Sequence, residues 1–267
     1  MITHNKNNDY TGFLGNVMFQ VASTIGIAVK NNMECSFNSS SQYLSNFKNV
    51  PLKTLDELNQ FNFVDVPEQS FGFVNVNLIP ERHYQISGYR QTEKYFSHCK
   101  ELIKTTFEFK DDILNACKTI IEDLKRIYVD KKIISVHIRC GDYLTLKNHH
   151  TCLMDIGYYQ KALEQFIFDE SIFVVFSDDI NIASEFFKNI HPGKITYIMG
   201  PKMSPANDMC LMSLMDGHVI ANSSFSWWAS WLSGKKTVSP SKNKWFGIEY
   251  KNMEVKDIIP ESWTQIE

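Results

Sequence analysis

The most constraining feature of this sequence is an alternation that begins near Lys131, where short β-branched or aromatic runs are separated by longer stretches of helical spacing. Such alternation is typical of a parallel β-sheet with crossover helices. We therefore predict a five-stranded doubly wound unit. Its expected strands are Ile133–Ile138, Ile172–Ser177, Lys194–Met199, His218–Ala221 and Lys236–Ser239. Its expected helices are Asp155–Phe168, Asn181–Ile190, Asn207–Leu214 and Ser226–Leu232, the third capped by Asn207 or Asp208.

The first half of the chain is less regular. The pattern predicts a strand at Glu34–Phe37 and helices at Asn16–Val29, Glu93–Thr105 and Asp111–Ile127. The segment 39–80 shows little periodicity, so we assign no elements to it. The charged stretch Glu122–Lys132 is a natural hinge. We therefore expect two domains, 1–130 and 131–267.

Composition and charge exclude several classes of protein. The chain has 267 residues, with 27 basic and 30 acidic side chains and a formal net charge of −3. This argues against binding nucleic acid by bulk neutralisation of phosphates. The longest apolar run, Ile172–Phe176, is too short to span a membrane. The first ten residues lack the apolar core of a signal peptide, so we expect a cytoplasmic protein.

The six cysteines are scattered and include no CxxC pair, which favours reduced thiols over a disulfide framework. One local cluster contains Cys140, His149, His150 and Cys152. A closed tetrahedral zinc site is disfavoured there, because Cys140 ends a predicted strand whereas the histidines lie in a polar loop. We therefore expect no metal site.

Polar residues follow the predicted strands, at the edge of a parallel sheet where ligands bind. Arg139 and Asp142 follow the first strand, and Asp178 follows the second. Ser223 and Ser224 lead from the fourth strand into a helix, whose free N–H groups favour an anion. The guanidinium of Arg139 can hold two phosphate oxygens, or it can pair with Asp142 across the Gly141 turn.

Two further sets of side chains have alternative interpretations. His137 precedes Arg139 and is either a nucleotide contact or a satisfied core histidine, with the core role favoured. Trp228 and Trp231 have helical spacing and are expected in the core, whereas Phe225 is expected in a loop against a ligand. The glycine turn at Gly12 also opens a helix, but it lacks the third glycine of the dinucleotide fingerprint.

Six stretches of the chain together resemble the bacterial-type α-1,2-fucosyltransferases of inverting glycosyltransferase family 11. They are Gly12-Phe-Leu-Gly15-Asn16-Val-Met-Phe-Gln20, Gly88-Tyr-Arg-Gln-Thr-Glu-Lys-Tyr-Phe96, Val136-His-Ile-Arg139-Cys-Gly-Asp142-Tyr, Phe176-Ser-Asp178-Asp, Asn207-Asp208-Met-Cys-Leu-Met-Ser-Leu and Ala221-Asn-Ser-Ser-Phe-Ser-Trp-Trp228. The resemblance spans roughly residues 12 to 246.

The resemblance implies an α/β fold of GT-B type, with two Rossmann-like domains facing a central cleft. It also implies GDP-β-L-fucose as donor, no metal or other cofactor, and inverting transfer to a galactose 2-hydroxyl of an oligosaccharide. The first domain would be the acceptor side and the second would bind GDP-fucose. A chain of this kind could also work at the periphery of a membrane that carries glycan acceptors.

The resemblance also implies roles for individual residues. Arg139 would hold the β-phosphate and act in catalysis. By location, Asp142 and Asp178 are candidate bases, and their positions suit structural or ribose-binding roles equally well. The implied donor-binding residues are His137, Arg139, Asp178, Asp208, Ser223, Ser224, Phe225 and Asn16, the last approaching from the N-terminal domain. The implied acceptor-side residues are Gln20, Tyr89 and Gln91.

The chain departs from the family pattern at three places. Cys140 stands where a second arginine is usual, and Val17 stands where a glutamine is typical. The segment before Gly12 is rich in asparagine, so the first strand starts near Asp9 or the sheet begins differently. These departures leave two alternatives: an inverting fucosyltransferase of another linkage or acceptor, and a nucleotide-binding module without transferase activity.

Overall fold

A computed structural model describes residues 1–7, 10–155, 157–190, 196–201 and 203–267. The protein is α/β, and the paired strands of its described residues run parallel. The predicted fold class is therefore confirmed. The chain divides into two compact units, Met1–Asp111 with Met253–Pro260, and Asp112–Asn252 with Glu261–Glu267.

The first unit contains a three-stranded sheet of order β1-β5-β4 and a separate pair, β2 with β3. Its strands are β1 (Ile2–His4), β2 (Phe37–Asn38), β3 (Leu52–Lys53), β4 (Phe63–Val66) and β5 (His83–Ile86). Its helices are α1 (Leu14–Lys30), α2 (Leu55–Asn59) and α3 (Lys100–Thr106). The next helix, α4 (Asp111–Ile127), begins at the residue that ends the segment Met1–Asp111. The residues of α1 are buried on nearly every side from Leu14 to Ala28, which accounts for its high apolar content.

Several boundaries in this unit differ from the sequence prediction. The first strand is β1, well before Asp9, and it pairs with β5. The expected strand at 34–37 is reduced to β2 and an isolated bridge between Ile2 and Cys35. The expected helix at 93–105 is two 3₁₀ turns followed by α3, whereas α4 has the predicted bounds.

The second unit contains a six-stranded parallel sheet of order β11-β10-β9-β6-β7-β8. Its strands are β6 (Lys132–Ile138), β7 (Ser171–Ser177), β8 (Tyr197–Met199), β9 (Gly217–Val219), β10 (Lys236–Pro240) and β11 (Thr264–Ile266). Its helices after α4 are α5 (Gly141–Thr145), α6 (Tyr158–Leu163), α7 (Ile180–Ile190), α8 (Pro205–Ser213) and α9 (Ser224–Ser233). The prediction missed β11, which is three residues long and mostly exposed.

This strand order is that of a doubly wound fold. When β6 is numbered 1 and β11 is numbered 6, the strands of the sheet have the order 3-2-1-4-5-6. Successive strands are therefore added outward from β6 on one side and outward from β9 on the other, and the switch point lies between these two parallel neighbours. Ligands of such sheets bind beyond the carboxyl ends of the two strands at this switch point. Residues after β6 and after β9 are therefore brought together by topology.

The core of the second unit explains the aromatic content of its helices. Trp228 and Trp231 are buried, as predicted, and form edge-to-face contacts with each other. Tyr158 is buried and donates its hydroxyl to the backbone oxygen of Ile220 at 2.6 Å, while Tyr159 donates to His137 O at 2.9 Å. Buried hydroxyls paired with backbone oxygens tie the helix to the sheet.

Some helix bounds in this unit also differ from the prediction. The helix expected at 155–168 is reduced to α6. The cap of α8 is Ser204, followed by Pro205 at the first helical position, so the expected caps Asn207 and Asp208 are wrong. The first two residues of the third expected strand lie outside the described residues, and its remainder forms β8.

The division between the units lies between Asp111 and Asp112, the first two residues of α4. The stretch 122–127, expected as a hinge, is the continuous end of α4. Within the first unit, Asp257 pairs with Lys94 at 2.6 Å and accepts the backbone N–H of Phe73 at 3.0 Å. These contacts explain why Met253–Pro260 belongs to the first unit.

Candidate functional site

Arg139 lies directly after β6, on one side of the switch point. Its guanidinium pairs with Asp142 Oδ1 at 2.6 Å and with Asp178 Oδ2 at 2.9 Å. The predicted pairing with Asp142 is thus present, and Asp178 joins it from the end of β7. A guanidinium has five N–H donors, so two carboxylate contacts leave donors for a further anion.

The turn after β6 is shaped around the carboxylate of Asp178. The backbone N–H of Cys140 donates to Asp178 Oδ1 at 2.8 Å. Gly141 has φ +24°, and a Cβ atom at this residue would lie 2.3 Å from Asp178 Oδ2. Glycine is therefore required for the carboxylate to approach the turn this closely. The Cys140 side chain is fully buried, which leaves it no route to a ligand.

The amino terminus of α9 lies on the other side of the switch point, after β9. Ser223 is its cap, and its hydroxyl accepts the backbone N–H of Phe225 at 3.4 Å. Ser224 and Phe225 lie in the first helical turn, so the expected loop position of Phe225 is wrong. A hydroxyl-capped helix terminus presents N–H groups to an anion, as the sequence predicts.

His137 lies on β6 and is buried, in agreement with the favoured interpretation of a satisfied core histidine. Its Nδ1 lies 2.9 Å from Ser226 Oγ, and its ring contacts Phe225 at a centroid distance of 5.5 Å. Burial, and secondarily the charge of Arg139, lower the pKa of His137 to about 3. His137 is therefore neutral at pH 7 and connects β6 to α9.

Asp208 lies on α8 and is partly buried. Burial raises the pKa of its carboxyl to about 6, opposed by a hydrogen bond from the Met203 backbone. Its Oδ1 has no hydrogen-bond partner among the described residues. An acceptor atom that is buried and unpaired costs stability, which is a common property of binding groups.

The residues expected on the acceptor side lie in the first unit. Gln91 Nε2 donates to Asn16 Oδ1 at 2.8 Å, so these two are brought together. Gln20 instead donates to Thr11, to its backbone oxygen at 2.9 Å and its hydroxyl at 3.1 Å. Tyr89 is 37% exposed.

The residues of the cysteine and histidine cluster considered in the sequence have different surroundings in the structure. Cys140 belongs to the core of the second unit, and His149 pairs with Glu249 at 2.8 Å. Among the described residues, no group of three or more His, Cys, Asp or Glu side chains is arranged to hold a metal ion.

A cavity of about 420 Å³ opens at the other end of the same sheet. Its lining includes Lys132 and Ser171, the first residues of β6 and β7. Arg139 lies seven residues along the chain from Lys132, or about 23 Å at the rise of an extended strand. The cavity is therefore separate from the candidate site.

Sequence reasoning missed the side-chain contacts of two polar residues at this site. The free N–H groups at the start of α9 were predicted to favour an anion, but no contact was predicted for the Ser226 hydroxyl, which lies 2.9 Å from His137 Nδ1. Asn222 belongs to one of the stretches that resemble family 11, but no contact was predicted for its side chain, which is buried and donates its amide to Trp245 O at 2.9 Å. Its place between a strand and a helix cap is the signal that could have identified it.

Comparisons with known proteins find relatives along most of this chain. The sequence profile of glycosyl transferase family 11 matches residues 4–267. An α-1,2-colitosyltransferase of Escherichia coli is 30% identical, with 96% of this chain and 97% of that protein aligned. The galactoside 2-α-L-fucosyltransferase SEC1 of Bos taurus is 26% identical over 85% of this chain and 64% of its own length.

A solved structure supports the fold. NodZ, an α-1,6-fucosyltransferase of Bradyrhizobium in a crystal soaked with GDP-fucose, superposes with a TM-score of 0.56 at 14% identity. The match covers 91% of this chain and 94% of NodZ, which shows that the two share the GT-B fold. In the residues that the structure describes, we find no helix with the length and apolar content needed to cross a bilayer. With the profile match extending over nearly its full length, the chain belongs to glycosyl transferase family 11.

Proposed function

We propose that this protein transfers L-fucose from GDP-β-L-fucose to the 2-hydroxyl of a galactose residue in an oligosaccharide, forming an α-1,2 linkage. Family membership supports the reaction class, and the names of the relatives support the sugar and the linkage. The observation that carries the proposal is that Arg139, after β6, and the hydroxyl-capped terminus of α9, after β9, both lie at one switch point. We assign the donor to the second unit and the acceptor to the first.

The reaction needs stabilisation of negative charge on the leaving group. As the glycosidic bond breaks, charge develops on the β-phosphate of GDP, and the sugar carbon takes on oxocarbenium character. Arg139 and the N–H groups of α9 are donors of the kind that stabilise such charge when they are held in place beforehand. Attack by the acceptor hydroxyl on the opposite face of the carbon inverts its configuration.

The proton of the acceptor hydroxyl must also leave. Asp142 and Asp178 are the carboxylates nearest Arg139, and both pair with it in the structure. We assign Asp178 to positioning, because it also accepts the Cys140 backbone N–H. Asp142 is 43% exposed and lacks that second contact, so it is the candidate base of the pair.

We propose that the transfer needs no metal ion, because a guanidinium and a helix terminus can supply the positive potential that a divalent cation supplies elsewhere. Activity in excess EDTA tests this point directly. We further propose a cytoplasmic location, with the galactose-terminated acceptor reached in solution or at a membrane surface.

A second candidate is transfer of colitose, the 3-deoxy form of L-fucose. It is favoured by the 30% identity to the α-1,2-colitosyltransferase. The two sugars differ by one hydroxyl, and a site built to bind that hydroxyl discriminates strongly against the analogue that lacks it. Competition between GDP-fucose and GDP-colitose for the same acceptor decides between them.

The main test uses Arg139→Lys and Arg139→Ala with GDP-fucose and lactose. We expect turnover to fall at least about a hundredfold in Arg139→Ala, because one preorganised donor contributes about that much. Arg139→Lys keeps the charge but loses the planar fork, so it should recover only part of the loss. Linkage analysis of the product then checks the 2-hydroxyl.

The matched control is Arg126→Lys. Arg126 pairs with Asp123 at 2.6 Å three residues before it, as Arg139 pairs with Asp142 three residues after it, but Arg126 is on the exposed end of α4. Its replacement should leave turnover unchanged. Release of GDP without any fucosylated product, or equal turnover in wild type and Arg139→Ala, contradicts the proposal. Thermal stabilisation by GDP over UDP and ADP in EDTA is the simpler first measurement.

A further inference from the structure

Tyr143 lies against the guanidinium of Arg139. It follows Arg139 by four residues, within α5, and the distance from Arg139 Cζ to the centre of its ring is 5.4 Å. A guanidinium within about 6 Å of an aromatic ring is attracted by the negative face of the ring. Tyr143 is therefore a third contact of the arginine, in addition to the two carboxylates.

The Tyr143 ring is itself held by two further contacts. It stacks on the His150 ring with a centroid distance of 4.0 Å and an angle of 2° between planes. Its hydroxyl donates to the backbone oxygen of Asn222 at 2.9 Å. A ring held at both its face and its hydroxyl has little freedom to rotate.

Asn222 connects this contact to the terminus of α9. It directly precedes Ser223, the cap of that helix. Its buried amide donates to the backbone oxygens of Thr151 at 3.0 Å and Trp245 at 2.9 Å. A continuous set of contacts thus runs from Arg139 through Tyr143 to the residue that precedes the cap of α9.

His150 supplies a flat, uncharged surface in this set. Its backbone forms a bridge with Phe246, which fixes the loop that carries it. Burial lowers the pKa of His150, with Arg139 and His149 acting in the same direction and Asp142 opposing them. A neutral ring stacked on Tyr143 places no second cation beside Arg139.

We propose that Tyr143, His150 and Asn222 are positioning residues, which hold Arg139 and the terminus of α9 in one fixed arrangement that receives the diphosphate of a nucleotide donor. The identity of the ligand rests on the proposed function. An arginine side chain loses considerable rotamer freedom when it binds a ligand, and contacts that restrict it beforehand reduce that loss. The same contacts fix the position of Arg139 relative to the terminus of α9, the two groups that face the diphosphate.

The first test measures GDP affinity by calorimetry in paired variants. Tyr143→Leu removes the ring, and we expect GDP to bind about tenfold more weakly. Tyr143→Phe keeps the ring and removes only the hydroxyl contact to Asn222, so we expect a loss of about threefold. His150→Leu should weaken GDP binding, and His150→Phe should restore it because a phenyl ring can stack in the same place.

The matched control is Tyr250→Leu. Tyr250 lies in a neighbouring set of aromatic contacts, in which its ring contacts those of His149 and Phe246. We expect GDP affinity to stay within twofold of wild type, with thermal melting checking that each variant is folded. Equal GDP affinity in wild type, Tyr143→Leu and His150→Leu would overturn the proposal.

The second test needs no ligand. The Nε–H resonance of Arg139, identified by its loss in Arg139→Lys, should be shifted upfield by the Tyr143 ring in the free protein. We expect that shift to persist in Tyr143→Phe and to disappear in Tyr143→Leu. If it is present in wild type but GDP does not bind, the proposed function fails and the positioning role stands. If Tyr143→Leu leaves the resonance unmoved, the positioning role is wrong.

Discussion

Asp208 is a partly buried carboxyl whose pKa is raised by its surroundings. Burial raises the pKa of its carboxyl to about 6, so at pH 7 the protein holds a carboxylate that folding has partly removed from water. A carboxyl whose pKa is higher in the folded protein than its unfolded value of about 3.8 destabilises the fold as the pH rises above that unfolded value. The penalty is full above pH 6 and disappears below about pH 4.

We therefore predict that Asp208→Asn stabilises the protein by about 1 kcal/mol at pH 7.5, a figure reduced to allow for partial exposure. The gain should shrink as the pH falls to 4.5, because the wild-type carboxyl is then largely protonated. Urea unfolding of both proteins at the two pH values measures this. An equal loss of stability at both values would show instead that the carboxylate makes a needed hydrogen bond. If Asp208 contacts the donor, GDP affinity should fall in the same variant.

At the scale of elements, the serine-capped helices α8 and α9 form a natural comparison. Ser204 caps α8 by accepting the N–H of Asn207 at 3.3 Å, and Ser223 caps α9 by accepting the N–H of Phe225 at 3.4 Å. Both contacts are long, so their contributions to stability fall at the lower end for capping residues. They differ in position, because only α9 begins beside the switch point.

We predict that Ser204→Ala and Ser223→Ala each lower the free energy of unfolding by about 0.5 to 1 kcal/mol. Only Ser223→Ala should also weaken GDP binding, by about threefold or more, since its cap orients N–H groups that we assign to the diphosphate. Chemical denaturation and calorimetry on the two variants separate these effects. A matching loss of GDP affinity in Ser204→Ala would assign the effect to general destabilisation.

At the scale of the whole molecule, His4, His137 and His218 are buried histidines that folding keeps uncharged. Burial is the main cause that lowers the pKa values of His4, His137 and His218 to about 3, from an ordinary value of 6.5. Arg90 adds to the effect at His4, and Arg139 adds to it at His137. Below pH 6.5 the unfolded chain binds protons that the folded protein does not, so stability falls as the pH decreases.

Each such histidine removes up to about 1.4 kcal/mol of stability per pH unit between 6.5 and 3. We predict a steep loss of stability between pH 7 and pH 5, which is large against a typical total of about 5 to 15 kcal/mol. Urea unfolding at pH 7.5 and 5.5 checks this. His218→Gln should reduce the difference between the two values by about 1 kcal/mol. Stability that is constant across this range would contradict the buried, neutral state of these side chains.

Much of the second unit could be predicted from the sequence because its signals are local. The apolar runs of β6 and β7 are long and buried, and α4 has a clear amphipathic pattern, so these elements appear close to their predicted bounds. β11 is three residues long and mostly exposed, so no pattern identified it. In the first unit, the expected helix at 93–105 is two 3₁₀ turns followed by α3, because hydrophobic periodicity alone cannot distinguish 3₁₀ turns from an α-helix.

The sequence by itself determined the α/β class, the family resemblance and the polar residues that follow the strands, because composition, period and spacing are properties of the chain alone. Only the tertiary structure decided what those residues contact. Arg139 pairs with Asp178, and Tyr143 bonds to Asn222, although 39 and 79 residues separate the partners. Such contacts depend on which strands become neighbours in the sheet. The crossovers that place β6 beside β9 bring together side chains whose separation along the sequence carries no signal of proximity.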